Sequence, residues 1–386
     1  MRKLKKIALI GVVGVPARYG GLETLAHHLV LQWRGKYELT VFNSAKHYTA
    51  EERKPAWEGA AIKYLPLKAN GAQSILYDMW SMLKAIRSHD ALLILGVSGC
   101  LLLPILKFFF PRKAMLVNID GLEWRRPKWG KLAKGYLKLA EKIAVKFADR
   151  IIADNKAIQD YVADVYGRES DMIAYGGDHA QTAEILPEDR ETYSFLSGPY
   201  AVKACRIEPE NNIEMILEAF SRFDDISLVI MGNWVDSAFG RDMRARYAHH
   251  KHLFLLDFIR DQRVLNMLRA NASVYLHGHS AGGTNPSLVE AMNLALPIVA
   301  YGVVFNREST EHKAVFFESA DELLGQLREL TAERRESLGQ TMKEVAQRRY
   351  TWPVIAGEYA RSVEKAMAGE KAVFFDLGTP ALSNQK

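Results

Sequence analysis

Short apolar runs alternate with longer amphipathic stretches from the start of the chain to about residue 153. Six of the runs are predicted to be β-strands, and they are Ile7–Val13, Glu38–Phe42, Ala61–Leu65, Leu92–Leu95, Ala114–Asn118 and Arg150–Ala153. The stretches between them have the three- and four-residue apolar spacing of helices, and examples are Leu22–Trp33, Ala72–Ser88 and Lys131–Ala148. Strands that alternate with helices predict a parallel sheet covered on both faces.

The same alternation begins again near residue 199, after a polar stretch with Gly and Pro over residues 176–199. Predicted strands of this second series are Tyr200–Ala204, Ser227–Met231, Leu253–Leu256, Ser273–Leu276 and Ile298–Ala300. Its predicted helices are Ile213–Phe223, Arg263–Asn271, Pro286–Leu294 and Ala320–Gln347. We therefore expect an α/β chain with two Rossmann-like domains, over residues 1–185 and 186–350. A helix over 351–368 is expected to return to the first domain, and residues 369–386 to form a loose tail. Ligands of such sheets bind at the carboxyl ends of the strands, so the site is expected in the cleft between the domains.

Length and composition fit two folded domains. The chain has 386 residues, of which 48% are hydrophobic and 25% charged, and this excludes extensive disorder, collagen and coiled-coil arrays. Cys100 and Cys205 both lie in apolar runs, which favours reduced core thiols over a disulfide framework or a cysteine metal site. Residues 91–106 are almost wholly apolar but shorter than the ~20 residues of a spanning helix, so a buried strand and a short helix are expected there. The N-terminal run is expected to be a first strand rather than a signal peptide, which predicts a cytoplasmic protein.

Positive charge is concentrated in one segment. The net charge of the chain is +6, yet residues 107–150 alone hold twelve basic and four acidic side chains. Over residues 131–147 lysines recur at helical spacing, with apolar residues on the other side, as in a basic amphipathic helix. This helix is either a solvated helix packed on its own sheet or a surface that rests on anionic lipid headgroups. No nucleic-acid motif accompanies the charge, so a nucleic-acid partner is not expected.

The loop after the first predicted strand is rich in glycine. A nicotinamide-binding loop would read G-x-G-x-x-G, with an acidic residue about 20 positions later. Here the glycines after Gly11 are spaced differently, and the second strand ends in VFNS without an acid. Gly20 and Gly21 open the next predicted helix, where backbone N–H groups and the helix dipole favour an anion. A plain tight turn is the alternative.

A second glycine-rich loop, residues 277–285, connects a predicted strand to a predicted helix. Thr284 or Asn285 is the expected N-cap, and Pro286 suits the first helical position. An anion could then bind to the exposed N–H groups of Thr284, Asn285, Ser287 and Leu288. Glu290, one turn into the helix, is either a ligand of vicinal hydroxyls such as those of ribose or a surface or capping carboxylate.

Arg206 follows the apolar run YAVKAC and is expected at the carboxyl end of a strand. A guanidinium there suits a diphosphate, and a solvated arginine is the alternative. A metal is not expected, because no Asp-x-Asp follows a predicted strand and the histidine pairs have poor ligand spacing. Those histidines are His27, His28, His249, His250 and His252.

Three segments together resemble one group of bacterial glycosyltransferases. They are P-A-R-Y-G-G-x-E at residues 16–23, N-I-D-G-L-E-W-R-R at 118–126 and H-G-H-S-x-G-G-T-N-P-S-L-x-E-A-M at 277–292. The enzymes they resemble are retaining, metal-independent transferases of GT-B fold in glycosyltransferase family 4. Many of them are rhamnosyltransferases of capsule, O-antigen or cell-wall polysaccharide assembly. The resemblance covers roughly residues 5–365.

The resemblance assigns the donor site to both glycine-rich loops. It implies that Gly20 and Gly21 face the donor diphosphate, that Arg206 holds the phosphates and that Glu290 binds ribose. Other donor residues that it implies are Gly283, Thr284, Asn285 and Ser287, with His277, His279 and Gly282 as contacts of the sugar. Two positions depart from the family pattern, because Asn211 replaces a lysine and Gly282 replaces a glutamate. Lys203 or helix N–H groups would then supply the missing positive charge.

The resemblance also implies an acceptor side formed by Arg18, Tyr19, Glu123 and Trp124. Asp120, where the family often has a histidine, would orient an acceptor hydroxyl or take its proton, unless it forms only an Asx turn. With Asp120, Arg206 and Glu290 as catalytic residues, the acceptor would attack from the face on which the diphosphate leaves. The anomeric configuration would then be retained, with the leaving charge stabilised by Arg206 and helix N-termini.

The resemblance predicts transfer of L-rhamnose from dTDP-rhamnose to a lipid-linked (polyprenyl diphosphate) glycan at the inner face of the cytoplasmic membrane. The nucleotide sugar, dTDP- or UDP-linked, would be a substrate, and no cofactor is expected. Residues 107–150 would face the anionic membrane. The alternatives are a UDP- or GDP-sugar donor, a sugar-nucleotide epimerase of the same fold, and a non-catalytic nucleotide-binding scaffold of polysaccharide assembly.

Overall fold

A computed structural model describes residues 3–18, 20–126 and 129–375 of the chain. The chain divides into two units. The first comprises Met1–Ala174 and Ile355–Lys386, and the second is Tyr175–Val354. Each unit is built around its own β-sheet.

The sheet of the first unit has eight strands. They are β1 (Lys6–Ile10), β2 (Glu38–Ser44), β3 (Ala56–Trp57), β4 (Ala60–Leu65), β5 (Ala91–Leu95), β6 (Ala114–Asn118), β7 (Arg150–Ala153) and β8 (Asp171–Met172). Their order is β3-β4-β2-β1-β5-β6-β7-β8, and only the β3–β4 pair is antiparallel. The central strands β1 and β5 are almost entirely buried, as their continuous apolar sequences predict for strands covered on both faces.

The helices of the first unit connect successive strands. They are α1 (Gly21–Trp33), α2 (Gln73–Ala85), α3 (Leu103–Phe109), α4 (Lys131–Phe147) and α5 (Lys156–Tyr166). The prediction of a strand and a short helix within residues 91–106 is confirmed, since β5 is followed by a 3₁₀ turn and α3. Across the described parts of the chain, no helix combines the length and apolarity needed to cross a bilayer.

The face that α4 buries is not the apolar face that its sequence predicts. The residues buried on this helix are Ala140, Glu141, Ala144 and Val145. Leu132 and Leu139, which helical spacing places on the apolar side of the helix, are 93% and 50% exposed. Two leucines of α4 are therefore left on the surface with the lysines.

The second unit has a six-stranded sheet in which all neighbouring strands are parallel. Its strands are β9 (Tyr200–Ala204), β10 (Ser227–Met231), β11 (Leu253–Leu256), β12 (Val274–His277), β13 (Ile298–Tyr301) and β14 (Val315–Phe317), in the order β11-β10-β9-β12-β13-β14. Its helices are α6 (Pro187–Thr192), α7 (Ile213–Ser221), α8 (Ala238–Tyr247), α9 (Gln262–Ala270), α10 (Pro286–Asn293), α11 (Val304–Ser309), α12 (Ala320–Arg328) and α13 (Ala332–Arg349). One face of the sheet packs with α7 and α12 in a core of aliphatic and aromatic side chains.

The helix predicted over Ala320–Gln347 is two helices. The chain leaves the helical conformation after α12 and starts again at Thr331, whose side chain accepts the N–H of Arg334 at 3.2 Å. Threonine is a favoured N-cap because its hydroxyl satisfies a backbone donor that a helix start leaves unpaired. Leu330, immediately before the cap, is buried and anchors the turn.

A final helix, α14 (Trp352–Met367), contributes its residues from Ile355 onward to the first unit. Within that unit, the indole N–H of Trp33 donates to the carbonyl of Ala356 at 3.0 Å. The amide of Asn118 donates to the hydroxyl of Tyr359 at 2.7 Å. These buried bonds attach α14 to α1 and to the end of β6.

Residues 371–375 pair with the first unit and are not a loose tail. The N–H of Glu169 donates to the carbonyl of Val373 at 2.9 Å, and the N–H of Ala372 donates to the carbonyl of Asp149 at 2.7 Å. The expectation of a loose tail is therefore wrong for this segment. The rest of the expected tail, residues 376–386, lies outside the described residues.

A buried carboxyl group on α2 makes the stability of the first unit depend on pH. Asp78 is 3% exposed and accepts a short hydrogen bond from the Ser98 hydroxyl, while its Oδ1 has no partner among the described residues. Burial raises the pKa of Asp78 to about 7. The folded state thus holds the proton more tightly than the unfolded chain, whose aspartate titrates near a pKa of about 3.9.

Asp78→Asn is therefore expected to be most stabilising above neutral pH. The stability that the protonated Asp78 contributes is complete below about pH 4 and is lost as the pH rises through about 7. At pH 8 the variant should gain roughly 1–3 kcal/mol in free energy of unfolding relative to the wild type, measured by urea denaturation at several pH values. Parallel pH profiles for the two proteins would exclude this role for Asp78.

Candidate active site

Arg206 lies just beyond the carboxyl end of β9, as the sequence predicts. Its side chain is 38% exposed, and its Nε is 3.7 Å from a carboxylate oxygen of Glu208. That separation is too long for a strong hydrogen bond. The guanidinium is therefore loosely held and accessible to an anion.

Asn211, in place of the family's lysine, connects the two loops of this edge. Its amide N–H donates to the carbonyl of Arg206 at 2.8 Å. Its amide oxygen then accepts from Nδ1 of His279 at 3.1 Å. Asn211 is 4% exposed, so it positions the loops after β9 and β12 rather than contributing charge to a phosphate.

Lys203 does not replace the missing lysine. It lies within β9 and is 1% exposed, and burial lowers its pKa. A side chain enclosed within the sheet cannot extend to a phosphate at the strand end. The expectation that Lys203 supplies this charge is wrong.

The N-terminus of α10 is capped by Asn285, which decides between the two candidate caps. The side chain of Asn285 accepts the N–H of Ser287 at 3.0 Å and its hydroxyl at 2.8 Å. The N–H of Leu288 donates to the Asn285 carbonyl at 3.0 Å. The N–H groups of Ser287 and Leu288 are therefore used in the cap, and the expectation that they are exposed to an anion is wrong. Thr284, immediately before the cap, is 4% exposed.

Glu290 is the centre of a charged cluster in the second unit. Its side chain is 13% exposed and forms a short ion pair with Arg269 of α9. Its other oxygen is 3.1 Å from Nε2 of His179. Burial alone would raise the pKa of Glu290, but Arg269 and His179 outweigh that effect and lower it. Glu290 is therefore an ionised, mostly buried carboxylate, neither a surface residue nor a helix cap.

The ring orientation of His179 follows from a second hydrogen bond. The indole N–H of Trp352 donates to Nδ1 of His179 at 3.0 Å. Nδ1 is then an acceptor, so the proton lies on Nε2 and points to Glu290. Trp352 is itself fixed, because its backbone N–H donates to the carboxylate of Asp178 at 2.8 Å. The segment G-G-D-H, residues 176–179, thus supports the candidate ribose ligand, a role that its linker-like composition concealed.

The last residue of β12 contains a buried polar atom without a partner. His277 is 2% exposed, and its Nε2 has no hydrogen-bond partner in the described part of the chain. Burial, followed by the nearby Lys203 and His279, lowers the pKa of His277 well below its ordinary value, so the ring is neutral. A buried polar atom left unpaired is costly, and a ligand hydroxyl or phosphate oxygen would satisfy it.

Gly282 gives the loop after β12 a left-handed backbone. Its φ is +89°, a backbone conformation that residues with a side chain rarely adopt. The loop therefore presents backbone without a side chain at this position. A Cβ at Gly282 would lie 3.7 Å from Nε2 of His279, so backbone and imidazole border the same space.

In the first unit, the loop before α1 is held by a glutamate. Glu23 accepts the N–H of Val13 at 2.9 Å. Gly20 has a φ of +124°, and a Cβ there would collide with the Glu23 carboxylate. The Gly20–Gly21 turn is thus shaped by Glu23, which lies in the segment 16–23 and was not among the predicted site residues.

Asp120 lies two residues beyond β6 and close to Glu23. The turn there is made by Asn118, whose side-chain oxygen accepts the N–H of Asp120 at 2.7 Å. The Asx turn therefore belongs to Asn118 and not to Asp120, which itself has a left-handed backbone with φ 54°. Burial and then the charge of Asp120 raise the pKa of Glu23. The first unit thus brings two carboxyl groups together at the ends of β1 and β6.

The predicted acceptor-side residues are mostly engaged within the first unit. Glu123 accepts the indole N–H of Trp129 at 3.0 Å and pairs with Arg126 at 2.9 Å. Trp124 donates to Glu141 at 3.1 Å, and this carboxylate also accepts from two tyrosine hydroxyls. Glu141 therefore positions the loop that carries Asp120, although its place in a lysine-rich helix concealed it.

Arg18 is paired with Glu52 at 2.6 Å and lies over the ring of Tyr48. Tyr19 is outside the described residues. Within the described ranges, no group of three or more His, Cys, Asp and Glu side chains is placed to hold a metal ion.

Comparisons with known families agree with this division of the chain. Residues 4–178 match the family described as "Domain of unknown function (DUF1972)". Residues 187–349 match the family described as "Glycosyl transferases group 1". This second match covers most of the second unit.

A curated relative is also named as a glycosyltransferase. The chain is 24% identical over 182 residues to an uncharacterized glycosyltransferase of Methanocaldococcus jannaschii. The match covers 44% of this chain and 45% of the relative, so the chain aligns with less than half of that protein's length.

Solved structures of similar fold cover nearly the whole chain. Sucrose-phosphate synthase of Thermosynechococcus elongatus superposes with a TM-score of 0.76 at 15% identity, over 95% of this chain and 100% of the other. The Anabaena protein HepE in complex with UDP gives a TM-score of 0.71 at 15% identity, over 94% and 100%. The predicted GT-B fold is confirmed, and at these identities the likeness speaks for the fold alone.

Proposed function

We propose that the protein is a glycosyltransferase that moves a sugar from a nucleotide sugar to a lipid-linked glycan. The observation that carries the proposal is the ionised Glu290, held by Arg269 and His179 on α10 of a glycosyl transferases group 1 unit. An ionised carboxylate with four lone-pair sites can still accept hydrogen bonds from the vicinal hydroxyls of a ribose. His277, whose Nε2 has no partner among the described residues, would add a neutral polar contact to the donor. Arg206, which is loosely held, would add a positive charge beside the diphosphate.

The proposed reaction is a substitution at the anomeric carbon with retention of configuration. The bond from this carbon to the diphosphate oxygen breaks, and a bond to the acceptor oxygen forms on the same face. Arg206 stabilises the negative charge that develops on the leaving diphosphate. Asp120, beside Glu23 in the first unit, orients the acceptor hydroxyl or takes its proton. The charge on Arg206 allows the reaction to proceed without a metal ion.

For the donor, we propose dTDP-L-rhamnose. The bare backbone at Gly282 lacks the carboxylate that would contact a hydroxyl-rich sugar, which suits a 6-deoxy sugar. A UDP-sugar is the second candidate, because the similar fold of HepE has been solved with UDP-glucose. Both donors would share the diphosphate contact. Glu290 would accept both ribose hydroxyls of a UDP-sugar, but only the 3′-hydroxyl of the deoxyribose in a dTDP-sugar.

For the acceptor, we propose a polyprenyl diphosphate glycan at the inner face of the cytoplasmic membrane. The outward face of α4 supports this, because its exposed lysines are accompanied by the exposed Leu132 and Leu139. A basic residue near an anionic lipid surface contributes about 1 kcal/mol of attraction. The basic segment 107–150 would then hold the enzyme beside its acceptor.

A panel of nucleotide sugars with a polyprenyl diphosphate acceptor in detergent tests the proposal. We expect release of free nucleoside diphosphate with one donor, and a glycolipid product whose anomeric configuration, determined by NMR, matches that of the donor. If only a UDP-sugar is transferred, with retention, the UDP-sugar replaces dTDP-L-rhamnose as the proposed donor. If the protein binds nucleotides but turns over none of the donors, the proposal of an enzyme is contradicted and that of a non-catalytic binding scaffold is supported.

A further inference from the structure

Four phenylalanines with exposed rings lie on two segments of the first unit. Phe108 and Phe109, at the end of α3, are 79% and 68% exposed. Phe374 and Phe375, in the paired segment 371–375, are 58% and 50% exposed. We call these four residues the aromatic edge. Single exposed apolar residues are common, but grouped exposed rings are typical of an interaction surface.

Both segments are attached to the same residue, Asp149. The ammonium group of Lys107, next to Phe108, forms a short ion pair with the Asp149 carboxylate. The backbone N–H of Ala372 donates to the Asp149 carbonyl at 2.7 Å. Since Asp149 immediately precedes β7, the end of α3 and the segment 371–375 meet at the amino ends of the strands.

This position separates the aromatic edge from the candidate active site. Asp120 and Gly20 follow the carboxyl ends of β6 and β1, whereas the aromatic edge lies at the opposite ends of the strands. The four rings are therefore not part of the acceptor loop, and a function in the chemistry itself does not account for their exposure.

The charges near the aromatic edge indicate what it contacts. Exposed basic residues of the adjoining chain are Arg112, Lys142, Lys146 and Lys371. The nearby acids are mostly engaged, because Asp149 pairs with Lys107 and Glu169 lies 3.6 Å from Arg150, while Glu370 is exposed. Aromatic rings accompanied by basic side chains match the boundary between acyl chains and anionic headgroups of a bilayer.

We propose that the aromatic edge inserts into the headgroup boundary of an anionic bilayer, with residues 371–375 as a second membrane-contact segment beside α3. The lysines of α4 supply long-range attraction, and the four rings supply apolar contact that salt does not screen. This inference rests on the proposed function in one respect, since a lipid-linked acceptor requires the enzyme at a membrane.

Vesicle flotation of the full-length chain at two salt concentrations separates the two contributions. Vesicles of phosphatidylcholine with phosphatidylglycerol are used at about 0.1 M and about 1 M salt, where the Debye length is roughly 10 Å and 3 Å. We expect wild-type binding to weaken at high salt without disappearing. The double variants F108A/F109A and F374A/F375A should each lower the salt-resistant partition about tenfold or more.

Matched variants distinguish insertion from general stickiness and from misfolding. L76A/L83A removes two exposed leucines of α2, which are 60% and 53% exposed, and should leave partition unchanged. K138Q/K142Q/K146Q should weaken binding at low salt and leave the salt-resistant part. Because the Phe374 ring lies 4.5 Å from the guanidinium of Arg168, the single variant F375A serves as a second tail variant that keeps this contact.

The inference is overturned if the aromatic variants partition like the wild type at high salt, or if wild-type binding vanishes there. An equal loss of vesicle binding in L76A/L83A also contradicts it. So does a result in which the aromatic substitutions abolish self-association of the protein but leave vesicle binding unchanged.

Sugar transfer in detergent is measured in parallel. Normal transfer by the aromatic variants in detergent, with loss on vesicles, supports the inference. If the variants partition as expected but neither they nor the wild type transfers sugar in detergent, the proposed function is overturned and the membrane inference stands.

Discussion

Glu290→Ala is expected to lower kcat/KM for the donor by roughly 10²–10³-fold and to weaken nucleoside diphosphate binding. A hydrogen bond to a charged group contributes about 1.5–3 kcal/mol. The donor would lose one such bond if its nucleotide carries deoxyribose and two if it carries ribose. The substitution also leaves Arg269 buried without its carboxylate, which should cost about 3–5 kcal/mol of stability. Steady-state kinetics, calorimetric nucleotide titration and thermal unfolding measure the three effects separately.

Two comparisons keep the loss of activity apart from the loss of stability. Glu290→Gln retains the shape and one acceptor oxygen, so it should fold better than the alanine variant while donor binding remains weakened. Asp189→Ala breaks the double hydrogen bond with Arg263, at 3.0 and 2.6 Å, in the same unit but outside the candidate site. It should reduce thermal stability and leave kcat/KM of the folded protein unchanged. Normal nucleotide affinity in folded Glu290→Ala would remove Glu290 from the donor site.

Arg206→Ala is expected to lower kcat by roughly 10²–10³-fold with little change in stability. Removal of one preorganised group that stabilises developing negative charge has an effect of that size in other enzymes. Because Arg206 is 38% exposed and its carboxylate neighbour is 3.7 Å away, the free energy of unfolding should change by less than about 0.5 kcal/mol. Arg206→Lys should recover only part of the rate, since an ammonium cannot make two parallel hydrogen bonds to a diphosphate.

Arg222→Ala is the matched control for Arg206. Arg222 is an arginine of the same unit that is 44% exposed and pairs with Asp321 at 2.7 Å. Its loss should change neither kcat nor the donor KM. If Arg206→Ala and Arg222→Ala behave alike, the positive charge that the reaction requires comes from elsewhere in the site.

Local signals in the sequence were sufficient for most of the framework. Continuous apolar runs placed the central strands, because a strand buried on both faces needs apolar residues at every position. The sequence Thr284-Asn285-Pro286 placed the start of α10, because it offers two candidate N-caps followed by a proline suited to the first helical position. The GT-B fold followed from two repeated series of strands and helices together with three short motifs.

Residues that act through distant partners were not visible in the sequence. His179 and Arg269 are distant from Glu290 along the chain and contact it only in the folded second unit. Asn211 was interpreted as a missing charge, yet it bonds to His279, 68 positions further along the chain. Helical spacing shows which residues of α4 share one side of the helix. It does not show whether that side packs against the rest of the protein.

The sequence by itself determined the order of strands and helices, the two glycine-rich loops, and the place of Arg206 and Glu290 at strand and helix ends. These features depend on residues within a few positions of one another, where spacing and backbone preference act directly. Only the tertiary structure decided that Glu290 is ionised, that Lys203 is enclosed, and that the segment 371–375 lies beside the end of α3. Burial and charge pairing depend on which distant residues meet, and that is settled when the chain folds.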